Sequence, residues 1–339
     1  MSGNGFHPAD RRNLAAVVFN PTNVPIDPLR EAVRSAENTN GWAPSLWFET
    51  GPADAGTAAA EAALAASPDV VLAAGGDGTV RAVAEVIHPT GIPLALLPSG
   101  TGNLLARNLR LTLNDLPRAV DSAFTGTDRA VDIAFAAFRL PDGTRKTRAF
   151  VVMAGIGLDA HMAGNTNNAL KERIGWAAYA DPIARSVLSG RRIHIHYRVD
   201  NGRTHTLSAH TVIVGNCGTI TANILLLPDA VVDDGLLDVV VFRPRGPLGW
   251  AGIGSRLATN GVLNRSRLGR LLIRTRSEST ALTYVQAGRF EARIDTAQEL
   301  ELDGDPVGAV TAVRLTVRHR GLTLRLPTDD ATPQRLVPP

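Results

Sequence analysis

Gly75-Gly76-Asp77-Gly78-Thr79 is the stretch of this chain best equipped for chemistry. It follows the apolar run Val70-Val71-Leu72-Ala73-Ala74 and precedes the helix-like Val80-Arg81-Ala82-Val83-Ala84-Glu85-Val86-Ile87. Glycines at 75, 76 and 78 admit backbone angles and close approaches that a Cβ forbids. Successive N–H groups can then converge on an anion at a helix N-terminus, where the dipole also favours negative charge. The plainer reading is a tight strand-to-helix turn that binds nothing, but such turns seldom need three glycines together with a carboxylate and a hydroxyl.

A second polar exit, Pro98-Ser99-Gly100-Thr101-Gly102-Asn103, follows the apolar Gly91-Ile92-Pro93-Leu94-Ala95-Leu96-Leu97. In an open parallel sheet both exits lie on one edge, where ligands of such folds bind. The type of phosphate site is narrowed by exclusion. There is no G-x-x-x-x-G-K-[ST] run, and the only lysines, Lys146 and Lys171, stand beside no glycine-rich loop, which excludes the lysine-bearing P-loop. Gly155-Ile156-Gly157-Leu158-Asp159-Ala160 has a Rossmann-like look, but the next strand candidate reaches an acid only at Asp200, about twice the spacing a dinucleotide ribose contact needs.

Carboxylates form the other chemical resource. Leu300 and Leu302 alternate with Glu299, Glu301 and Asp303, which predicts a half-buried strand breaking at Gly304, and Asp-Gly is by itself a hairpin signal. Local sequence alone reads this as a plain turn. Asp229, Asp233 and Asp234 precede the strand candidate 236–242, and turn capping accounts for them locally. Asn20-Pro21 reads locally as a strand end, since proline lacks the donor a ladder needs. His194 and His196 share a strand face without a third metal ligand nearby.

The elements that must position these residues fall into two textures. Segments 14–20, 45–49, 69–74 and 92–97 read as strands separated by helices over 28–37, 55–66 and 80–87, an alternation that predicts a parallel sheet covered on both faces. After residue 131 the pattern turns β-rich, with strands expected over 133–139, 148–154, 192–199, 210–214, 236–242, 271–275, 290–294 and 313–318, and helices over 169–180 and 248–258. The expected fold is α/β followed by β: an N-terminal doubly wound parallel-sheet domain and a C-terminal, largely antiparallel β-domain. The expected boundaries are a flexible tail over 1–12, the first domain over 13–131, the second over 132–318, and a closing segment over 319–339.

At 339 residues the chain is long enough for two cores, and its 44% hydrophobic and 20% charged content is that of globular proteins. One cysteine, Cys217, excludes an intramolecular disulfide and any cysteine-cluster metal site. No apolar run approaches the ~20 residues that span a bilayer, and the N-terminus lacks the pattern of a signal peptide, so a cytoplasmic location is expected. A net charge of +3 does not point to nucleic acid. Arg265, Arg267, Arg270, Arg274 and Arg276 interleave with Leu268, Leu271, Leu272 and Ile273, a mixture suited either to an anionic membrane surface or to a solvated helix end.

Taken in order along nearly the whole chain, these motifs resemble the diacylglycerol kinase catalytic-domain family, which includes soluble bacterial lipid kinases and sphingosine kinases. The resemblance runs through Val17-Val18-Phe19-Asn20-Pro21-Thr22, Glu49-Thr50, the Gly75 to Thr79 motif, Pro98 to Asn103, Ala154 to Ala160, Pro228-Asp229-Ala230, Asp233-Asp234-Gly235 and Leu302-Asp303-Gly304-Asp305. It implies an NAD kinase-like nucleotide domain, a β-sandwich lipid-substrate domain and a C-terminal segment returning to the first. The implied activity is transfer of the ATP γ-phosphoryl group to a lipid hydroxyl, diacylglycerol being favoured.

By the same resemblance, Asn20, Pro21, Thr22, Thr50, Gly75, Gly76, Asp77, Gly78, Thr79, Gly100 and Thr101 contact the nucleotide, with Asp77 facing its magnesium. Asp305 or Asp303 is the implied base, and Asp234 supports Mg2+. Two residues depart from the family pattern: aspartate at 305 where glutamate is usual, and Arg81 where many relatives have asparagine. Partners expected are a lipid at the membrane surface and a second copy of the chain. The competing classes are an NAD kinase-like enzyme for a soluble substrate and a catalytically weakened binder of lipid or nucleotide.

Overall fold

The computed structural model describes residues 11–51, 54–157, 192–220, 224–244, 249, 253 and 282–328. The expected helix over 169–180, the strand over 271–275, the arginine cluster over 265–276, all but two residues of 248–258 and most of both tails lie outside them. Contacts divide the chain into two compact units, one formed by residues up to 100, 112–129 and 322–329, the other by 101–111, 130–321 and the remaining C-terminal residues.

The first unit alternates strand and helix: β1 (Ala15–Phe19), α1 (Ile26–Asn40), β2 (Leu46–Glu49), α2 (Thr57–Ala65), β3 (Val70–Gly75), α3 (Asp77–Ile87) and β4 (Leu94–Pro98). The short α4 (Leu104–Asn108) belongs to the second unit, and α5 (Leu116–Thr125) to the first. Every pairing within the first unit's sheet is parallel, in the order β2-β1-β3-β4, with Leu324 and Arg325 added beside Leu94 and Ala95. The chain steps outward from β1 to β2, returns across β1 to β3 and continues to β4, so the winding reverses between β1 and β3. That switch point opens a crevice at the carboxyl ends of the two strands.

β1 and β3 are buried along their whole length, which explains their unbroken apolar sequences. On one face Phe19, Leu72 and Leu97 pack with Leu29 and Val33 of α1 and with Val120 and Phe124 of α5. α2 and α3 pack on each other. α1 stops where Gly41 takes φ +69, and the Trp42 N–H closes the turn on the Glu37 carbonyl at 3.0 Å. α5 is an addition to the expected helices. Its signal is an Asp115 cap accepting from the Arg118 N–H at 3.1 Å, with a proline in the first turn.

The second unit is built from β5 (Thr127–Arg139), β6 (Arg145–Phe150), β7 (Met153–Ile156), β8 (Ile193–Val199), β9 (His205–Ala209), β10 (Thr211–Gly215), β11 (Thr219–Ile220), β12 (Ile224–Leu225), β13 (Leu237–Phe242), β14 (Leu282–Ala287), β15 (Arg289–Leu302) and β16 (Asp305–Leu326). Its strands β14, β13, β10, β7, β15 and β16 lie side by side, each antiparallel to the next. Phe150, Ile156, Ile195, Val214, Leu237, Phe290, Leu300 and Leu315 share its main core. A second cluster joins Ile213, Leu226, Val240, Phe242 and Leu282.

Three expectations are corrected here. The strand over 148–154 is interrupted between Phe150 and Met153, because the N–H groups of Val151, Val152 and Met153 turn to the Asp303 carboxylate instead of a strand partner. The strand over 290–294 is the opening part of β15 and that over 313–318 the middle of β16, which are 14 and 22 residues long. Their polar stretches are held as strand by mutual pairing from Arg289↔Thr316 to Leu302↔Asp305.

Candidate active site

The exits of the four strands of the first unit converge as the glycine motif requires. After β1, the Asn20 N–H donates to the Ala74 carbonyl at 2.9 Å, and its side-chain Oδ1 accepts from the Thr22 N–H at 3.0 Å. The Asn20 carbonyl accepts from Asn23 and Val24, both at 3.1 Å, so Pro21 and Thr22 form the exposed tip of a short turn. After β2, the Thr50 N–H donates to the Phe19 carbonyl at 2.9 Å, and Thr50 is buried. After β4, the Ser99 N–H donates to the Gly75 carbonyl at 3.1 Å.

Gly75 closes β3 and Gly76 is the cap residue of α3, with no side chain to occupy the helix N-terminus. The first intrahelical bond is Val80 N–H to the Gly76 carbonyl at 3.1 Å, so Asp77, Gly78 and Thr79 form the first turn, ahead of the helix's own hydrogen-bond ladder. Thr79 is only 4% exposed. It folds back over Gly75 so closely that a Cβ at 75 would meet its Oγ1 at 2.6 Å and its Cβ at 2.7 Å. A Cβ at Gly76 would instead face Gly100 Cα at 3.6 Å and Asn23 Nδ2 at 3.7 Å, so this glycine looks onto the space bounded by the β1 and β4 exits. Thr101 begins the stretch assigned to the second unit, and Arg81 is half-buried on α3. The first unit therefore brings together Asn20, Pro21, Thr22, Thr50, Gly75, Gly76, Asp77, Gly78, Thr79 and Gly100.

In the second unit, Asp303 and Gly304 form the two-residue turn between β15 and β16, with φ of +52 and +89 and with Leu302 paired to Asp305. Both angles positive is the geometry for which Asp-Gly is chosen. Asp303 is 3% exposed, and its carboxylate accepts from the N–H groups of Val151, Val152 and Met153 at 2.8–2.9 Å. Asp305 opens β16 and is part-exposed. Its charge is felt by Glu301, whose carboxyl is pushed up to about 7, first by burial and then by the negative charges of Glu299 and Asp305. Sequence reasoning takes Glu299 and Glu301 only as the polar side of a strand. Their positions two apart, on the face of β15 opposite Leu300 and Leu302, are the available signal.

Asp234 holds its turn by accepting from the Leu236 N–H at 3.0 Å. Its carboxyl is raised by burial, and further by the charges of Asp132 and Asp233. Beside it Asp132, almost fully buried, accepts from the N–H groups of Gly235 and Arg320, both at 2.6 Å, and lies 3.0 Å from His319 Nδ1. Among the described residues no three His, Cys, Asp or Glu side chains converge as metal ligands.

Asp238, on β13, is buried, and burial pushes its carboxyl up to about 7, with Asp234 and Asp229 adding like charge and Gln286 opposing. The sign of its linkage follows. Between about pH 4 and 7 the unfolded chain has released a proton that the folded chain keeps, so folding stability falls as pH rises through that window. Asp238→Asn is expected to stabilise the protein at pH 8 by roughly 2–4 kcal/mol and to flatten its dependence of melting temperature on pH between 4 and 7.

Residues 15–136 match the family model of the diacylglycerol kinase catalytic domain, and residues 151–251 that of the YegS C-terminal NAD kinase beta sandwich-like domain. A Pseudomonas fluorescens (strain Pf0-1) protein named as a probable lipid kinase, YegS-like, is 28% identical over 89% of this chain and 90% of its own length. The chain is also 24% identical, over 77% of its length, to an uncharacterized Synechocystis protein, of which it spans 55%. The crystal structure of a diacylglycerol kinase from Bacillus anthracis str. Sterne shares the fold with a TM-score of 0.63 at 18% identity, covering 95% of this chain and 99% of that one. No helix of the described residues is long and apolar enough to cross a membrane.

Proposed function

This chain belongs to the diacylglycerol kinase catalytic-domain family, and on that premise we propose that it transfers the γ-phosphoryl group of ATP to a lipid hydroxyl, with diacylglycerol as acceptor and phosphatidic acid as product. The observation that carries the reading is the side-chain-free N-terminus of α3 at the switch point between β1 and β3, ringed by the exits of β1, β2 and β4. Backbone amides at a helix N-terminus hold phosphate oxygens and need a cradle without a Cβ, which Gly76 provides.

In this reading Gly75, Gly76, Gly78 and Thr79 hold the triphosphate through main-chain N–H groups, and Asn20, Pro21, Thr22, Thr50, Gly100 and Thr101 contact the rest of the nucleotide. Asp305 takes the proton of the lipid hydroxyl as its oxygen forms the bond to the γ-phosphorus and the bond from that phosphorus to the ADP oxygen breaks. Asp303 has a structural role instead, because its carboxylate is committed to three backbone amides and holds the turn that presents Asp305. Asp77 in the first unit and, separately, Asp234 in the second are each assigned as a carboxylate that would hold Mg2+, which would supply neutralisation of phosphate charge. Burial is the main cause that raises the Asp234 carboxyl, and the like charges of Asp132 and Asp233 that add to it are the kind of environment a cation relieves. The lipid is met at a membrane surface, and the chain is assigned to the cytoplasm.

Incubation with γ-labelled ATP, Mg2+ and either diacylglycerol in detergent micelles or NAD tests this reading. Labelled phosphatidic acid is expected. Labelled NADP, or no labelled product with either acceptor, overturns the proposal. Mass spectrometry of lipid co-purified with the protein identifies the natural acceptor.

A further inference from the structure

A cavity of about 260 Å3 opens in the first unit between α1 and the edge strand β2, lined by Arg30, Arg34, Glu37, Pro44, Ser45 and Trp47. It lies at the amino end of β2, away from Thr50 at the carboxyl end, so it is separate from the site assigned to the nucleotide. Arg30 and Arg34 are one helical turn apart on α1. The Arg30 guanidinium sits 5.5 Å from the centre of the Trp47 ring, and Trp47 is in turn anchored edge-on to Phe19 of the core, with ring centres 5.9 Å apart. Stacking on an indole orients a guanidinium fork while leaving its N–H edges open to an acceptor. Arg34 forms no ion pair among the described residues.

The inner wall adds Ser45, only 8% exposed, whose hydroxyl oxygen is buried in that wall without a hydrogen-bond partner. The one acid in the cavity, Glu37, accepts from the Ser45 N–H at 2.7 Å through Oε1. Two guanidiniums and one carboxylate complement a ligand that carries both an anion and a hydrogen-bond donor.

We propose that this cavity binds a hydroxyl-bearing phosphate, its oxygens on Arg30 and Arg34 and its own hydroxyl directed at Glu37. Two guanidinium donors suit a phosphate in particular, because the fork matches two oxygens at once. The volume suits a small polar group and falls below the ~300–1,000 Å3 of drug-sized ligand pockets. Such a group occurs free, as a soluble phosphate ester, or as the headgroup of a glycerol phospholipid.

The test uses the full chain, sn-glycerol 3-phosphate followed by calorimetry, and sedimentation with phosphatidylcholine vesicles made with and without phosphatidylglycerol. The expected result is saturable binding weakened about tenfold or more by Arg34→Gln, yet unchanged by Arg81→Gln beside the glycine loop. Binding to phosphatidylglycerol vesicles alone, lost in Arg34→Gln, supports the same site reading a headgroup. Binding indifferent to Arg34→Gln, binding removed by Arg81→Gln instead, or no binding of either probe overturns the proposal. Arg34 is exposed, so its replacement leaves the fold intact.

Discussion

Asp305→Asn is expected to lower phosphoryl transfer by about 10²- to 10⁴-fold, the range that a positioned proton acceptor contributes, while leaving the melting temperature unchanged. Asp305 is part-exposed at the start of β16, so an amide of the same shape costs little there. Asp303→Asn is expected to do the reverse. Its carboxylate satisfies three buried main-chain donors where the chain leaves β6, and an amide offers one acceptor oxygen in place of two. At roughly 1–3 kcal/mol for a buried donor left unpaired, the variant should melt several degrees lower while its folded fraction keeps near-native turnover. Activity assays beside thermal melts separate the two roles. Full activity in Asp305→Asn removes Asp305 from the mechanism, and loss of turnover without loss of stability in Asp303→Asn overturns the structural role of Asp303.

The second large effect divides two adjacent glycines. Gly75→Ala places a Cβ at 2.6 Å from Thr79 Oγ1 and 2.7 Å from its Cβ, and Thr79 is too buried to swing away. Overpacking of this kind costs about 1–3 kcal/mol and forces the first turn of α3 out of place, so both stability and ATP affinity should fall. Gly76→Ala meets nothing closer than 3.6 Å and has φ −88, which alanine adopts freely, so stability should change by less than about 1 kcal/mol. Its methyl group nonetheless enters the cradle proposed for the phosphates, and ATP affinity should drop tenfold or more. Titration with a fluorescent ATP analogue, alongside chemical unfolding, reads both quantities. Unaltered nucleotide affinity in Gly76→Ala would exclude the α3 N-terminus as the phosphate site.

Where local chemistry decides, the primary structure is legible. Unbroken apolar runs at β1 and β3, the glycine exit to α3 and the Asp-Gly turn at 303–304 each depend on neighbours within a few residues, and their spacing names the element. Helix α5, absent from the expected elements, is equally local, since the Asp115 cap and Pro117 stand two residues apart in the sequence. The lengths of β15 and β16 are not readable in this way, because partner strands hold their polar stretches extended.

Order and partnership belong to tertiary structure. The sheet order β2-β1-β3-β4, with Leu324 laid beside Leu94, makes a crevice of loops that the chain presents as separate turns. Asp303 and Asp305 look interchangeable on paper, two acids either side of a glycine. Donors about 150 residues away separate them, capturing one carboxylate and leaving the other part-exposed. The same holds for Glu301 and Asp238, ordinary acids by composition, whose carboxyls are raised to about 7 by burial that only the packed sheet imposes. Periodicity and turn residues are set by covalent neighbours, whereas charge state and hydrogen-bond partners are set by what distant strands bring alongside.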